Sequence, residues 1–293
     1  MNAKKKVLIT GSAGQLGYEL QRTAPNMLQV IAVDRTQLDI SDAKAVDTWV
    51  AEHRPDAIIN AAAYTAVDQA ETEQALASAI NEQGAKNLAQ AALVQGAKLL
   101  QVSTDFVFSG DAHSPIPVTA VCQPQGFYGE SKLRGEQAVQ EILDDQAFII
   151  RTAWLYSAHG NNFVKTMLRL MTEREELGVI ADQVGTPTWA HGLATALWRA
   201  LEADATGIHH WSDAGVASWY DFAQAIMEEG EALGLLEKPI TLKPLTTDEY
   251  PTPASRPAYS VLDKTTTWQA LGLEGQHWRV ALRKMMTELT KRD

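Results

Sequence analysis

Short apolar runs rich in β-branched residues alternate with helical patterns through the first half of the chain. KVLIT, LQVIAVD, PDAIINAA, AKLLQVST and QAFIIRTAW are separated by QLGYELQRTA, AKAVDTWVAEH and AINEQGAKNLAQAALVQG, among other segments. Runs with no polar alternation must be covered on both faces, and helices between them supply the cover. The pattern predicts an α/β chain built on a doubly wound, mostly parallel sheet. Ligands of such sheets bind beyond the carboxyl ends of the strands, so the residues just after each run carry the functional signal.

The first run leads straight into glycines. In KKVLITGSAGQLGYEL, Gly11, Gly14 and Gly17 lie between the first strand and the first helix. Glycine is needed where the chain turns sharply and where a pyrophosphate must approach the backbone, and the helix N-terminus that follows favours the anion. In this strand–loop–helix context the triplet predicts a Rossmann-like dinucleotide site. The second strand ends VDRTQLDISD, with Asp34 17 residues beyond Gly17. A carboxylate there suits an adenosine ribose, while Arg35 beside it suits a 2′-phosphate, so use of both NADH and NADPH is expected. Asp39 and Ile40 follow where the adenine edge would lie, with a helix cap and a core residue as their alternative roles.

After residue 155 the pattern is less regular. A helix at NNFVKTMLRLMTERE, a strand at LGVIAD, a helix at GLATALWRALEA, a strand at GIHHWS and a helix at SWYDFAQAIMEEG follow, the last with Ser218 as N-cap. YPTPASRPAYS then precedes a final helix. The expected division is a dinucleotide-binding domain over 1–155 and a smaller substrate-binding region over 156–293, partly interleaved with the first.

The net charge of −11 argues against nucleic acid or an anionic membrane as partner. A single cysteine, Cys122, excludes an internal disulfide and suits a reducing cytoplasm. The basic start MNAKKK is followed by an apolar run too short for a signal-peptide core, and nothing approaches the length of a membrane span. The seven histidines lack metal-ligand spacing; His209 and His210 are adjacent in an expected strand and point to opposite faces.

Tyr-x-x-x-Lys occurs once, as Tyr128 and Lys132 in FYGESKLRGE. On a helix from 128 to about 143, Tyr128, Lys132, Gly135, Ala138, Val139, Ile142 and Leu143 share one face. Glu130, Arg134, Gln137, Glu141 and Asp145 occupy the other, with Leu133 the apolar exception. Lys132 therefore projects inward, which is costly without a partner or ligand. An ammonium one turn from a phenol stabilises the phenolate; lowering its pKa by roughly two to three units takes about 3–4 kcal/mol. Upstream, LLQVSTDF ends a strand with Ser103 and Thr104 at the carboxyl edge. The stretch 107–125 that follows is long for a structural connection and so is a candidate functional loop.

Glycine loop, strand-end acid, Thr-Asp after a strand and Tyr-x-x-x-Lys in this order resemble the extended short-chain dehydrogenase/reductase family. The motifs GSAGQLG, NAAAYTAVDQAE, STDFVFSG, YGESKLRGE, RTAWLYSAHGNNFVKTML, DQVGTPT and YPTPASRP are similar to its dTDP-4-dehydrorhamnose reductase branch, over nearly the whole chain. The resemblance implies Thr104, Tyr128 and Lys132 as the catalytic group. It implies cofactor contacts from Gly14, Gln15, Leu16, Gly17, Asp34, Asp39, Ile40, Ala63, Tyr64, Thr65, Tyr128 and Lys132. It implies sugar-nucleotide contacts from Thr104, Asp105, Trp154, Val67, Asn162 and Arg256. The implied reaction is NAD(P)H-dependent reduction of the 4-keto group of a dTDP-sugar, with Tyr128 as proton donor. A homodimer, or a complex with other enzymes of the rhamnose pathway, is also implied.

Three positions depart from the pattern. Phe106 stands where these reductases often carry tyrosine and sugar-nucleotide dehydratases carry glutamate. Ala153 replaces a serine or threonine. Some relatives hold magnesium on glutamates at a dimer interface; Glu19 and Glu288 match, but His191 replaces a third acid, which weighs against both the metal and that dimer. The competing readings are a sugar-nucleotide 4,6-dehydratase or epimerase on the same scaffold, and a non-catalytic regulatory subunit.

Overall fold

A computed structural model describes residues 4–291. Its centre is a six-stranded parallel sheet of β1 (Lys6–Thr10), β2 (Gln29–Val33), β3 (Ala57–Asn60), β4 (Lys98–Thr104), β5 (Phe148–Thr152) and a sixth strand from the second half of the chain. The connections are α1 (Gln15–Arg22), α2 (Ala43–His53), α3 (Val67–Ala70), α4 (Gln74–Ser78), α5 (Gly84–Gln95) and α6 (Phe127–Leu143). The strand order runs outward from β1 in two directions, to β2 on one side and to β3, β4 and β5 on the other. That reversal opens a cleft above the carboxyl ends of β1 and β3.

Neighbouring strand residues serve opposite faces. Leu8, Ile58, Leu99 and Ile149 pack beneath α2, α5 and α6, whereas Val7, Ile9, Ile59, Leu100, Phe148 and Ile150 pack beneath α1 and elements from the second half. Burial on both sides is why these strands read as unbroken apolar runs.

The second half supplies β6 (Leu155–Tyr156), α7 (Phe163–Glu173), β7 (Glu176–Ile180), β8 (Val184–Gly185), β9 (Thr188–Trp189), α8 (Ala190–Glu202) and β10 (Gly207–His210). β11 (Ala217–Ser218), α9 (Trp219–Ala232), β12 (Thr241–Leu245), α10 (Thr265–Leu271) and α11 (Trp278–Leu289) complete it. Two sets can be told apart. β10 is the sixth sheet strand, parallel to β5, and Leu197, Trp198, Trp211 and Leu271 join the core beneath β1 and α1. Tyr156, Val164, Phe222, Ile226, Trp278 and Met285 instead form a separate core among α7, α9 and α11. Ser218 caps α9 through a reciprocal box with Asp221, as its position before the helix foretells.

The Ala-rich segment before β4 differs from expectation. It is not one regular helix: between α4 and α5 lies a wide π-type turn, Ala79–Gln83, that turns Asn81 into the interior. The extra residue of such a turn re-aims side chains, and here it does so beside the candidate site. No helix among the described residues is long and apolar enough to cross a membrane.

Candidate active site

The glycine loop has the shape a pyrophosphate needs. Gly11 has φ +70°, and a Cβ there would meet the Ala62 backbone at 2.7 Å. A Cβ on Gly17 would come 2.2 Å from the Gly11 carbonyl oxygen. Gly14 is the N-cap of α1 and no side chain caps that end; its N–H groups are thus available to an anion. A cleft of about 450 Å³ runs from Gly11 and Gly14 past Asp34, Arg35 and Asp39 to Ala63, Tyr64 and Thr65.

At its far end, three hydrogen bonds fall on one oxygen of Asp34, Oδ1: from Thr36 N (2.8 Å), Thr36 Oγ1 (2.6 Å) and Gln37 N (3.3 Å). The Thr36 bonds chiefly hold this carboxyl below its usual range. Arg35 is 66% exposed and lies 3.4 Å from Asp39. Asp39 accepts from Ser41 N and Oγ, and Ile40 is buried with its side chain packed onto Gly84. Ile40 thus faces the cleft only partly, because α5 claims its side chain. Leu16 likewise spends its side chain on the core around α1. The Tyr64 hydroxyl donates to Glu73, while Asn81 clamps the Tyr64 backbone from both sides and bonds Ser131 of α6.

A second cavity, of about 630 Å³, shares Gly14 and Ala61–Ala63 with the first and continues to Thr104, Asp105, Tyr128, Lys132 and Trp154. Val67, Gln15 and Asn162 also line it, and Asn162 Nδ2 donates to Gln15 Oε1 (3.0 Å). This joins the glycine loop to the start of α7. Thr104 Oγ1 bonds Asp105 Oδ1 (3.1 Å), accepts from Phe106 N (3.2 Å) and reaches the Tyr128 hydroxyl. Lys132 is 4% exposed, and its Nζ donates to the Val102 carbonyl at 2.7 Å. Gln101 Nε2 donates to that carbonyl too, ending a buried chain from Thr10 through Asn60.

The protonation states differ from the expected depression of the phenol. Burial pushes Tyr128 up to about 12, with Thr104 pulling back and Asp105 adding to the rise. Burial pulls Lys132 down to about 8 against the attraction of Glu136. The lysine bonds a carbonyl rather than the phenol, so it does not offset the desolvation of Tyr128. The phenol consequently stays protonated at neutral pH. Burial also lifts Asp105 to about 6, opposed by hydrogen bonds from Ser260 and Thr104.

Trp154 has φ +47°, a strained backbone for a bulky residue. Its ring stacks on Trp219 at 3.6 Å and lies where a Cβ on Gly185 would sit. Trp219, which the sequence reading missed, opens onto a third cavity of about 470 Å³ lined by Phe163, Met167, Gln183, Tyr250 and Arg256. Arg256, expected to contact the sugar nucleotide together with Thr104, lies in this neighbouring cavity. There its guanidinium donates to Asp68 at 3.0 and 2.8 Å. Phe106 stacks edge-on against Tyr128, and Ala153 lines the second cavity.

Glu19, Glu288 and His191 do come together, but around a guanidinium. Arg22 donates to Glu19 Oε2 (2.7 Å) and Glu288 Oε1 (2.9 Å), and its Nη2 lies 3.2 Å from His191 Nδ1. Burial would raise the fully buried Glu19; the bonds from His191, Arg22 and Ser157 overcome this and hold it below its usual range. Among the described residues no three acids, histidines or cysteines are grouped to hold a metal ion. The arrangement does not fit magnesium: Arg22 already sits among these donors.

A sequence model of the family described as RmlD substrate binding domain matches residues 5–291. The dTDP-4-dehydrorhamnose reductase of Aggregatibacter actinomycetemcomitans is 41% identical over 288 residues, covering 96% of this chain and 98% of that one. A Streptomyces niveus protein named dTDP-4-keto-6-deoxy-D-glucose reductase is 38% identical, covering 94% of each. The structure of the Bacillus anthracis dTDP-4-dehydrorhamnose reductase in complex with NADP superposes with a TM-score of 0.92 at 39% identity, covering 98% of this chain and all of that one. A glycine loop at a topological switch point, a buried Thr–Tyr–Lys cavity beside it and full-length similarity to these reductases converge: the chain belongs to the dTDP-4-dehydrorhamnose reductase family.

Proposed function

We propose that the protein reduces the 4-keto group of dTDP-4-dehydro-L-rhamnose to the alcohol of dTDP-L-rhamnose, using NADPH or NADH. The observation that carries this reading is the meeting of Thr104, Tyr128 and Lys132, buried together, in a cavity continuous with the glycine loop. When bound, the nicotinamide cofactor supplies the hydride. Tyr128, held protonated by burial, gives its phenolic proton to the oxygen developing on the sugar C4. Thr104 orients that carbonyl, and Lys132 attracts the emerging phenolate and donates to the ribose. Desolvation strengthens both interactions, and bringing the reactants together supplies much of the acceleration.

Dual cofactor use is supported by the way Asp34 is bonded. One oxygen is spent on its own turn, the other can accept a ribose hydroxyl, and exposed Arg35 can pair with a 2′-phosphate. The sugar nucleotide is read as spanning the second and third cavities, with Trp154, Val67 and Asn162 around the sugar. Residues 156–293 then act as a substrate-binding region packed over the strand ends.

The reading is tested by NAD(P)H oxidation with dTDP-4-dehydro-L-rhamnose. Turnover should fall about 10²–10⁴-fold in Tyr128→Phe. No turnover in the wild type, or undiminished turnover in the variant, refutes it.

A further inference from the structure

Glu136 follows Lys132 by one turn of α6, so Tyr128, Lys132 and Glu136 form an inward row at four-residue spacing. Glu136 is 1% exposed and Arg151 of β5 is 2% exposed. Arg151 Nε donates to Glu136 Oε1 at 3.0 Å and to Oε2 at 3.2 Å, and Nη2 donates to Oε2 at 2.6 Å. Nη2 also contacts Cys122 Sγ at 3.2 Å, and the guanidinium lies over Phe108. In the sheet, Arg151 pairs with Ser103 and Thr152 with Thr104. The ion pair is therefore anchored one residue from the strand position that presents Thr104.

Stability alone does not account for such a pair. Two buried charges cost heavily to desolvate, and well-packed apolar side chains of similar volume often serve a fold equally well or better. We propose that Glu136, clamped by Arg151, is a positioning residue for Tyr128 and Lys132: it fixes α6 against the ends of β4 and β5 and sets a buried carboxylate one helical turn from the Lys132 side chain. The proposal rests on the Tyr128–Lys132 reading above.

The surroundings leave this task to Glu136. Lys132 bonds only a neutral carbonyl, and burial draws its proton away. Asp105, at the end of β4, acts on Tyr128. Asp68 of α3 is committed to Arg256, and Glu82 and Glu130 face Arg134 on the outer side of α6. Lys86 of α5, Glu141 of α6 and Asp144 and Asp145 after it are exposed to solvent. The Cys122 thiol, lifted by burial, stays protonated near neutral pH. Glu136 is the charged group that acts on Lys132.

Two variants test this. Glu136→Gln keeps the shape and an acceptor for Arg151 but removes the charge. The double variant Glu136→Met/Arg151→Met replaces the pair with apolar side chains, so that folding and function are read separately. Each is compared with wild type for melting temperature, for kcat and KM between about pH 6 and pH 9, and for NADPH dissociation by fluorescence without sugar present. A lysine loses its proton as pH rises, so Glu136→Gln should match wild type near pH 6. Its alkaline fall in kcat and in NADPH affinity should begin about one pH unit lower, costing about fivefold in kcat at about pH 8. KM for the sugar should stay within about twofold, and Glu136→Asp should restore part of the loss.

The double variant should fold and show the same or a larger loss in kcat. A folded double variant with wild-type kcat and pH profile overturns the proposal, and so does a Glu136→Gln profile that superposes on wild type. Tyr128→Phe, assayed alongside, separates the two levels: if it keeps full turnover, the Tyr128–Lys132 reading itself fails whatever Glu136 does.

Discussion

In Arg35→Ala, KM for NADPH should rise roughly tenfold while KM for NADH stays within about twofold. Arg35 is 66% exposed and already has Asp39 at 3.4 Å. A guanidinium about 4 Å from a phosphate gains about 1 kcal/mol in bulk water and about 4 kcal/mol near a protein surface. High exposure and the competing carboxylate draw the value down, as they do for exposed ion pairs generally. About 1–2 kcal/mol remains, equivalent to about 5- to 30-fold. NADH lacks the 2′-phosphate and should not register the change. The assay is initial-rate loss of reduced cofactor at saturating sugar nucleotide, with each cofactor varied at low and high salt. The wild-type KM for NADPH should rise as salt screens the pair, and the variant should lack that dependence. Equal rises in both KM values would refute the reasoning, because they would place Arg35 on the shared part of the dinucleotide.

Four further outcomes follow from the geometry. Gly17→Ala should weaken both cofactors at least tenfold and lower the melting temperature, because its Cβ would lie 2.2 Å from a backbone oxygen that no side-chain motion can clear. Chelation should leave melting temperature and turnover of the wild type unchanged. Arg22→Ala, by contrast, should lower the melting temperature by about 5–10 °C by leaving the buried Glu19 carboxylate without its guanidinium. The fourth outcome concerns Asp213, which is 2% exposed, accepts from Trp189 N and is lifted by burial to about 7. Its folded value lies above its unfolded one, so stability is full below about pH 4 and is lost as pH rises towards 7. Asp213→Asn should accordingly gain on the order of 2–4 kcal/mol at pH 8 and almost nothing at pH 4, read as urea midpoints at the two pH values.

Local patterns made much of this protein legible. Strands buried on both faces must be continuously apolar, so the five runs of the first half announce the sheet, and glycines after the first run announce the switch-point loop. The 3.6-residue period of α6 was enough to turn Lys132 inward before any contact was known. Asp34 and Arg35 are neighbours in sequence, so their joint position by the cleft needed no tertiary information.

What tertiary structure alone decided are pairings between distant residues. Arg256 is paired with Asp68, 188 residues away. Ser157 meets Glu19 across 138 residues, and Arg22 lies between Glu19, Glu288 and His191, whose fitness for a metal the sequence had left in doubt. Trp219 reaches the site through its stack on a strained Trp154, and Asn81 through a wide turn that helical periodicity does not announce. Tyr128 carries the same lesson in its protonation. Its lysine neighbour was visible in the motif, but its pKa depends on how dry the cavity is and on which acceptor takes the lysine. Those are properties of the closed three-dimensional site, where desolvation outweighs a neighbour that bonds elsewhere.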